Sequence, residues 1–215
     1  MAGRNKFTTL TPLEKRYPYR LQFIPNPPPK LWIKGNNLNL FKKPALAVVG
    51  SRKPSDYGRQ AVKKIISQLV KRGFVIISGM ARGIDSTAHK LTLGNKGETI
   101  AVLGSGLDII YPPENKQLYH QIQLVVSEFP LGTKPKGNNF LSRNRIISGL
   151  SDGVIVIEAS RRSGTLNTAR HAAEQGKEVF AVPGPITSPT SEGTAWLIKN
   201  GAKLIYDIED IIEEL

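Results

Sequence analysis

The segment Phe140-Leu141-Ser142-Arg143-Asn144-Arg145 sets one aromatic ring and two guanidinium groups at a junction. Behind it runs the flexible, basic Lys134-Pro135-Lys136-Gly137, and ahead of it the apolar Ile146-Ile147 of a helix. Arginine forks grip phosphate oxygens in pairs, the first N–H groups of a helix add an anion site, and an exposed phenylalanine can stack on a base. This combination suits nucleic acid better than a small metabolite. These six residues alone also admit an ordinary capping junction, with Phe140 in the core and the arginines paired with surface acids.

Four further constellations follow apolar, β-rich runs: Gly50-Ser51-Arg52-Lys53-Pro54, Ser78-Gly79-Met80-Ala81-Arg82-Gly83, Gly104-Ser105-Gly106 and Ser163-Gly164-Thr165. Glycines let a backbone approach a ligand, and serines with helix N-termini supply donors. Any one of them could be a plain strand-to-helix turn. Five such loops on one edge, three carrying arginine, point to a binding site.

Catalytic alternatives find less support. Gly104-Ser105-Gly106 with Glu128 some twenty residues on imitates a dinucleotide fingerprint, but its third glycine is Ile109 and Pro112-Pro113 interrupts the required helix. No GxxxxGK[ST] sequence is present, which excludes a P-loop. The chain has no cysteine, and His89, His120 and His171 lie far apart without HExxH spacing, so neither disulfides nor a metal site is expected. Asp85 and His89, four apart on a predicted helix, could serve as an acid–base pair; alternatively, Asp85 caps that helix beside Arg82 and His89 packs inside. No set of nucleophile, base and orienting group emerges, and no catalytic residue or cofactor is assigned.

The elements that must hold these loops read from residue 44 onward. Apolar runs at 46–49, 74–77, 99–103, 124–127, 154–158, 178–182 and 203–206 lack polar alternation and are separated by segments of helical spacing. The clearest helix covers 57–72, where Val62, Ile65, Ile66, Leu69 and Val70 form one stripe and Gly73 supplies the stop; another covers 165–175. The pattern predicts a doubly wound α/β fold with a mostly parallel sheet covered on both faces, whose ligands sit beyond the carboxyl ends of the strands. Residues 1–43 read differently. Pro25, Pro27, Pro28 and Pro29 break regular structure, giving an extended, basic, proline-rich arm packed on a main domain of residues 44–215.

Charge supports a polyanionic partner. The 215 residues carry 30 Lys and Arg against 17 Asp and Glu, a formal charge of +13, which favours polyanions through steering and counterion release. The arm holds nine basic residues and the single acid Glu14, whereas the tail carries Asp207, Glu209, Asp210, Glu213 and Glu214. Part of the excess is solvated helix surface, as at Lys63, Lys64 and Lys71. No apolar run is long enough for a membrane span and no signal-peptide core is present, so a cytoplasmic protein is expected.

The chain resembles the DNA-processing protein A family, DprA or Smf. The matching residues run colinearly: Tyr19-Arg20-Leu21, Pro27-Pro28 to Gly35, Val48-Val49-Gly50-Ser51-Arg52, Ser78-Gly79 to Ala88-His89, Gly104 to Tyr111-Pro112 and Ser127-Glu128. They continue through Phe140 to Ile147, Gly149-Leu150-Ser151, Ser163-Gly164-Thr165, Thr168-Ala169 and Ala181-Val182-Pro183-Gly184. The resemblance implies an extended Rossmann-like domain that holds single-stranded DNA without sequence preference and loads the RecA recombinase during natural transformation. By the same resemblance Arg52 and Lys136 bind phosphate, Phe140 stacks on or wedges between bases, and Arg143 and Arg145 anchor backbone or brace the loop. It further implies a homodimer contacting around residues 193–199, through Trp196, Leu197 and Ile198. Ala195 and Asn167 depart from the family pattern, and one extra residue separates Lys136 from Phe140. Many members also carry a helical domain before this region and a winged helix after it, which would make the chain a minimal member or a fragment. The LOG-type phosphoribohydrolases offer the competing resemblance at Ser163-Gly164-Thr165, but Thr168 stands at the position of their motif glutamate.

Overall fold

The computed structural model describes residues 7–215. The first six residues of the expected arm lie outside this range. Nine strands form one sheet in the order β1-β2-β6-β5-β4-β3-β7-β8-β9. Its parallel body consists of β3 (Ala45–Val49), β4 (Val75–Ser78), β5 (Thr99–Leu103), β6 (Leu124–Ser127), β7 (Gly153–Val156), β8 (Glu178–Ala181) and β9 (Lys203–Leu204). These match the seven apolar runs to within a few residues at their ends; apart from the exposed edge strand β9, they are buried on both faces and contain no polar alternation to blur them.

Alternate residues of each strand feed opposite sides. Leu46 and Val48 point into a core with α2 (Asp56–Lys71) and α3 (Ile84–Gly94). Ala45, Ala47 and Val49 face the other side, where α5 (Gly137–Leu150), α6 (Thr165–Glu174) and α7 (Glu192–Lys199) pack. The α2 stripe is buried as its spacing requires, with Ile66 and Leu69 fully enclosed; burying each such side chain contributes roughly 1.5–3 kcal/mol. Ser55 caps the helix, its Oγ accepting from the Gly58 N–H at 3.1 Å. The short α4 (Lys116–Gln121) covers the sheet beside β5 and β6.

The N-terminal region departs from the extended arm expected of it. Residues 7–10 (β1) and 31–34 (β2) pair antiparallel with each other, and β2 then pairs antiparallel with β6. Between them, around the short α1 (Tyr19–Gln22), Tyr17, Leu21 and Ile24 join the same core as Ile146, Ile147 and Leu150 of α5. The prolines occupy only the connection, where the Pro28 carbonyl accepts from the Tyr17 hydroxyl at 2.8 Å.

The strand order reverses direction at β3. Chain progress runs outward through β4, β5 and β6 on one side and through β7, β8 and β9 on the other. The loops after β3 and β7 therefore diverge to opposite faces and leave a crevice between them.

Candidate nucleic-acid interface

A cavity of about 580 Å³ occupies that crevice. The β3–α2 loop supplies Gly50, Ser51, Arg52 and Lys53, the β7–α6 loop Ser163, Gly164 and Thr165, and the first turns of α5 Phe140, Arg143 and Asn144. Thr165 Oγ1 donates to the Gly50 carbonyl at 3.1 Å, tying the two diverging loops together. Ser51 Oγ accepts from the Lys53 N–H at 3.1 Å and Ser163 Oγ from the Thr165 N–H at 3.2 Å, so both serines shape their own turns. Asn144 Nδ2 donates to the Gly164 carbonyl at 3.3 Å and closes the ring from the α5 side.

Phe140 forms one wall. Its half-buried ring lies against Gly104, where a Cβ would come within 2.6 Å of the ring, so only glycine allows the approach. The guanidinium carbons of Arg52 and Arg143 stand 5.8 and 5.9 Å from the ring centroid, a cation–π arrangement that holds the ring beside positive charge. Phe140 is thus neither fully core nor free.

The basic side chains fall into two classes. Arg52 and Lys53 are exposed at the cavity, and Lys134 and Lys136 are exposed on the approach to α5; among the described residues none of the four has an acid within ion-pairing distance. Arg143 is buried. Its Nη1 donates to the Gly79 carbonyl at 2.7 Å and to the Val102 carbonyl. Burial lowers its pKa to about 10, opposed by Asp85. Arg145 is also buried, with Nη1 and Nη2 each 2.6 Å from Glu128 and Nε donating to the Asn26 carbonyl at 2.9 Å. Arg145 is therefore a brace. The capping reading of the junction holds for this arginine, and the same pair occupies the acid that a ribose would need.

The other expected site residues scatter. Ser78 is fully buried, and its Oγ donates to the Val48 carbonyl at 2.7 Å, which removes it from any ligand. Gly79 packs on the Arg143 guanidinium, and Gly83, at φ 77°, starts α3 against the Ser51 carbonyl. Arg82 does not line this cavity but stands in a narrow cleft that adjoins it past Phe140, paired with Glu114. Leu197 sits in the core and Ile198 packs against it, leaving Trp196 as the exposed member of that trio, with Arg161 5.8 Å from its ring.

Asp85 and His89 do not make an acid–base pair. Asp85 lines the cavity but accepts from the Gly79 and Ala81 N–H groups at 3.2 and 3.4 Å, and burial raises its pKa. His89 is enclosed, with Nδ1 2.6 Å from Thr99 Oγ1, and burial lowers its pKa to about 3. Sequence reasoning missed Glu158, which ends the β7 run. Its carboxylate accepts from Ser55 N–H and from the Ser55 and Thr190 hydroxyls, clamping the base of the Arg52 loop. The only signal was an acid closing an apolar run, which many strands show.

Fold and site define an open α/β protein with a cationic, aromatic-walled cavity at its topological switch point. A family model described as DNA recombination-mediator protein A matches residues 8–215, and the chain belongs to that family. It is 46% identical over 204 residues to the DNA processing protein DprA of Bacillus subtilis, covering 94% of this chain and 69% of that one. Across three curated relatives the chain spans 53% to 74% of their length. The solved structure of DNA processing protein A from Streptococcus pneumoniae superposes with a TM-score of 0.93 at 46% identity, covering 98% of this chain and 75% of that one. The protein of the same name from Helicobacter pylori, whose structure concerns its single-stranded DNA binding mode, gives a TM-score of 0.86 at 32% identity, covering 99% and 97%. Among the described residues no helix is long and apolar enough to cross a membrane.

Proposed function

We propose that this chain binds single-stranded DNA without sequence preference and without chemistry of its own. The observation that carries the reading is the switch-point cavity, where the unpaired Arg52 and Lys53 stand beside the half-exposed Phe140. Lys134 and Lys136 line the approach to α5. Cations without acidic partners neutralise backbone phosphates, and a ring wall stacks on any base; neither contact reads a base edge. A duplex keeps its bases stacked away from such a wall.

Membership of a recombination-mediator family supports the wider role: delivery of the bound strand to the RecA recombinase in the cytoplasm, during recombination of imported DNA. It supports equally a homodimer through the face around Trp196, with Ile198 beside it. The hydrolase reading has lost its acid–base pair to the burial of His89 and keeps no observation in its favour.

Anisotropy titration of a labelled oligothymidine, at low and raised salt and with a duplex of equal length as competitor, tests the reading. Tight, salt-sensitive binding that the duplex displaces poorly is expected. Binding no better than to the duplex would refute it.

A further inference from the structure

The cavity does not end at Phe140. Tyr111, from the loop after β5, lies with its ring centroid 5.5 Å from that of Phe140 and its plane tilted by 30°. It remains 37% exposed. A narrow cleft runs on from Arg52 and Phe140 to Tyr111 and Arg82. Beyond Tyr111, the Arg82 guanidinium faces Glu114 through Nε to one carboxylate oxygen and Nη2 to the other at 3.2 Å. Both side chains are about half exposed, 54% and 49%. The Glu114 carboxylate, with a lesser contribution from the Tyr111 hydroxyl, raises the Arg82 pKa, and Arg82 in turn holds Glu114 below the usual carboxylate range. The surface thus alternates cation, ring, ring, cation, with the last cation already held by an acid.

We infer that Tyr111 forms a second base-stacking subsite next to Phe140, and that Glu114 is a resident counter-charge that a backbone phosphate displaces from Arg82. The inference rests on the single-stranded DNA reading and extends it by one nucleotide. Two tilted, adjacent rings match two successive bases, since stacking tolerates any base and requires only a free face. A guanidinium fork already in bidentate geometry with a carboxylate has the same geometry for phosphate. The exposed pair exchanges one oxyanion for another. Net binding is therefore weaker than an unpaired arginine would give, which eases release of the strand.

Six variants of the full chain test this by oligothymidine anisotropy, with thermal unfolding to confirm that each folds. Tyr111→Phe keeps the ring and should bind as the parent does. Tyr111→Leu keeps an apolar contact with Phe140 but offers no aromatic face, and should weaken binding about tenfold. In a Phe140→Ala background the same change should weaken binding further. If it adds nothing there, Tyr111 only positions Phe140 and the subsite is refuted. Glu114→Gln should tighten binding by about two- to fivefold at low salt and steepen the salt dependence by about 0.7, because Arg82 then releases its own counterion. Unchanged or weakened binding by Glu114→Gln overturns the counter-charge. Loss of affinity in Phe140→Ala with none in Tyr111→Leu overturns the subsite and leaves the single-strand reading standing. Indifference to Phe140→Ala and Arg52→Ala together would refute that reading itself.

Discussion

Replacing Glu128 by Gln should unfold this protein at markedly lower temperature. Its carboxylate takes both Nη groups of Arg145 at 2.6 Å, and the two side chains are only 12% and 7% exposed. Glutamine keeps one acceptor and turns an amide N–H₂ against the other guanidinium nitrogen, leaving a buried, half-partnered cation. Breaking a buried pair from one side costs about 3–5 kcal/mol. In a domain of this size each kcal/mol moves the midpoint by about 2–4 °C, so Tm should fall by about 6–20 °C. Arg145 also donates to the carbonyls of Asn26 and Ser142, so the loss loosens the N-terminal segment from α5. Chemical denaturation at neutral pH, scored for midpoint and slope separately, is the assay. The double replacement Glu128→Leu with Arg145→Met should recover most of the stability, since it removes both desolvated charges. A loss below about 1 kcal/mol for Glu128→Gln would refute the assignment of Arg145 as a buried brace.

Other expectations follow from the same geometry. Phe140→Ala should weaken oligothymidine binding by about 1–3 kcal/mol with little change in salt slope, whereas Arg52→Ala or Lys136→Ala should each flatten that slope by about 0.7, all read by anisotropy over a salt series. His89 titrates at about 3 when folded, against an ordinary value of 6.5. The unfolded chain therefore takes up the proton first as pH falls. This group's contribution is intact above pH 6.5 and declines by up to about 1.4 kcal/mol per unit as pH drops toward 3, a slope that urea titrations should lose between pH 6.5 and 5 in His89→Asn. Leu69→Ala, in the fully buried stripe of α2, should cost about 2–5 kcal/mol in the same titrations without altering the salt slope of DNA binding.

The parallel body of the sheet was legible because its strands are short continuous apolar runs, and the helices because Val62, Ile65, Ile66 and Leu69 repeat at helical spacing. β1 and β2 were not. In β2 Leu31 and Ile33 enter the core shared with α5 while Trp32 and Lys34 lie half-buried on the opposite face beside α4, and two apolar residues beside four prolines give no period to read. At the site, loop positions such as Arg52 and Ser163 were legible from glycine and serine punctuation, since those loops must lie beyond strand ends. The fates of Arg143 and Arg145 were not, because their partners are the Gly79 and Val102 carbonyls and Glu128, brought up by other strands.

The phase of α5 explains how two arginines one residue apart come to differ. Phe140, Arg143, Asn144 and Ile147 stand three and four apart, so one helix face presents all four to the cavity, and Arg145 is turned away to Glu128. On the cavity face, Arg143 is drawn beneath the Phe140 ring by the two strand-end carbonyls and is nearly closed off from solvent. Its charge still acts upward through a poorly screened interior. On the proposed single-strand reading, the exposed cations Arg52, Lys53 and Lys136 should release counterions as the strand binds and so set the salt slope. Arg143 releases none, and its attraction for the strand should persist at high salt. Binding that vanished completely once the exposed cations were screened would show that the buried charge contributes nothing.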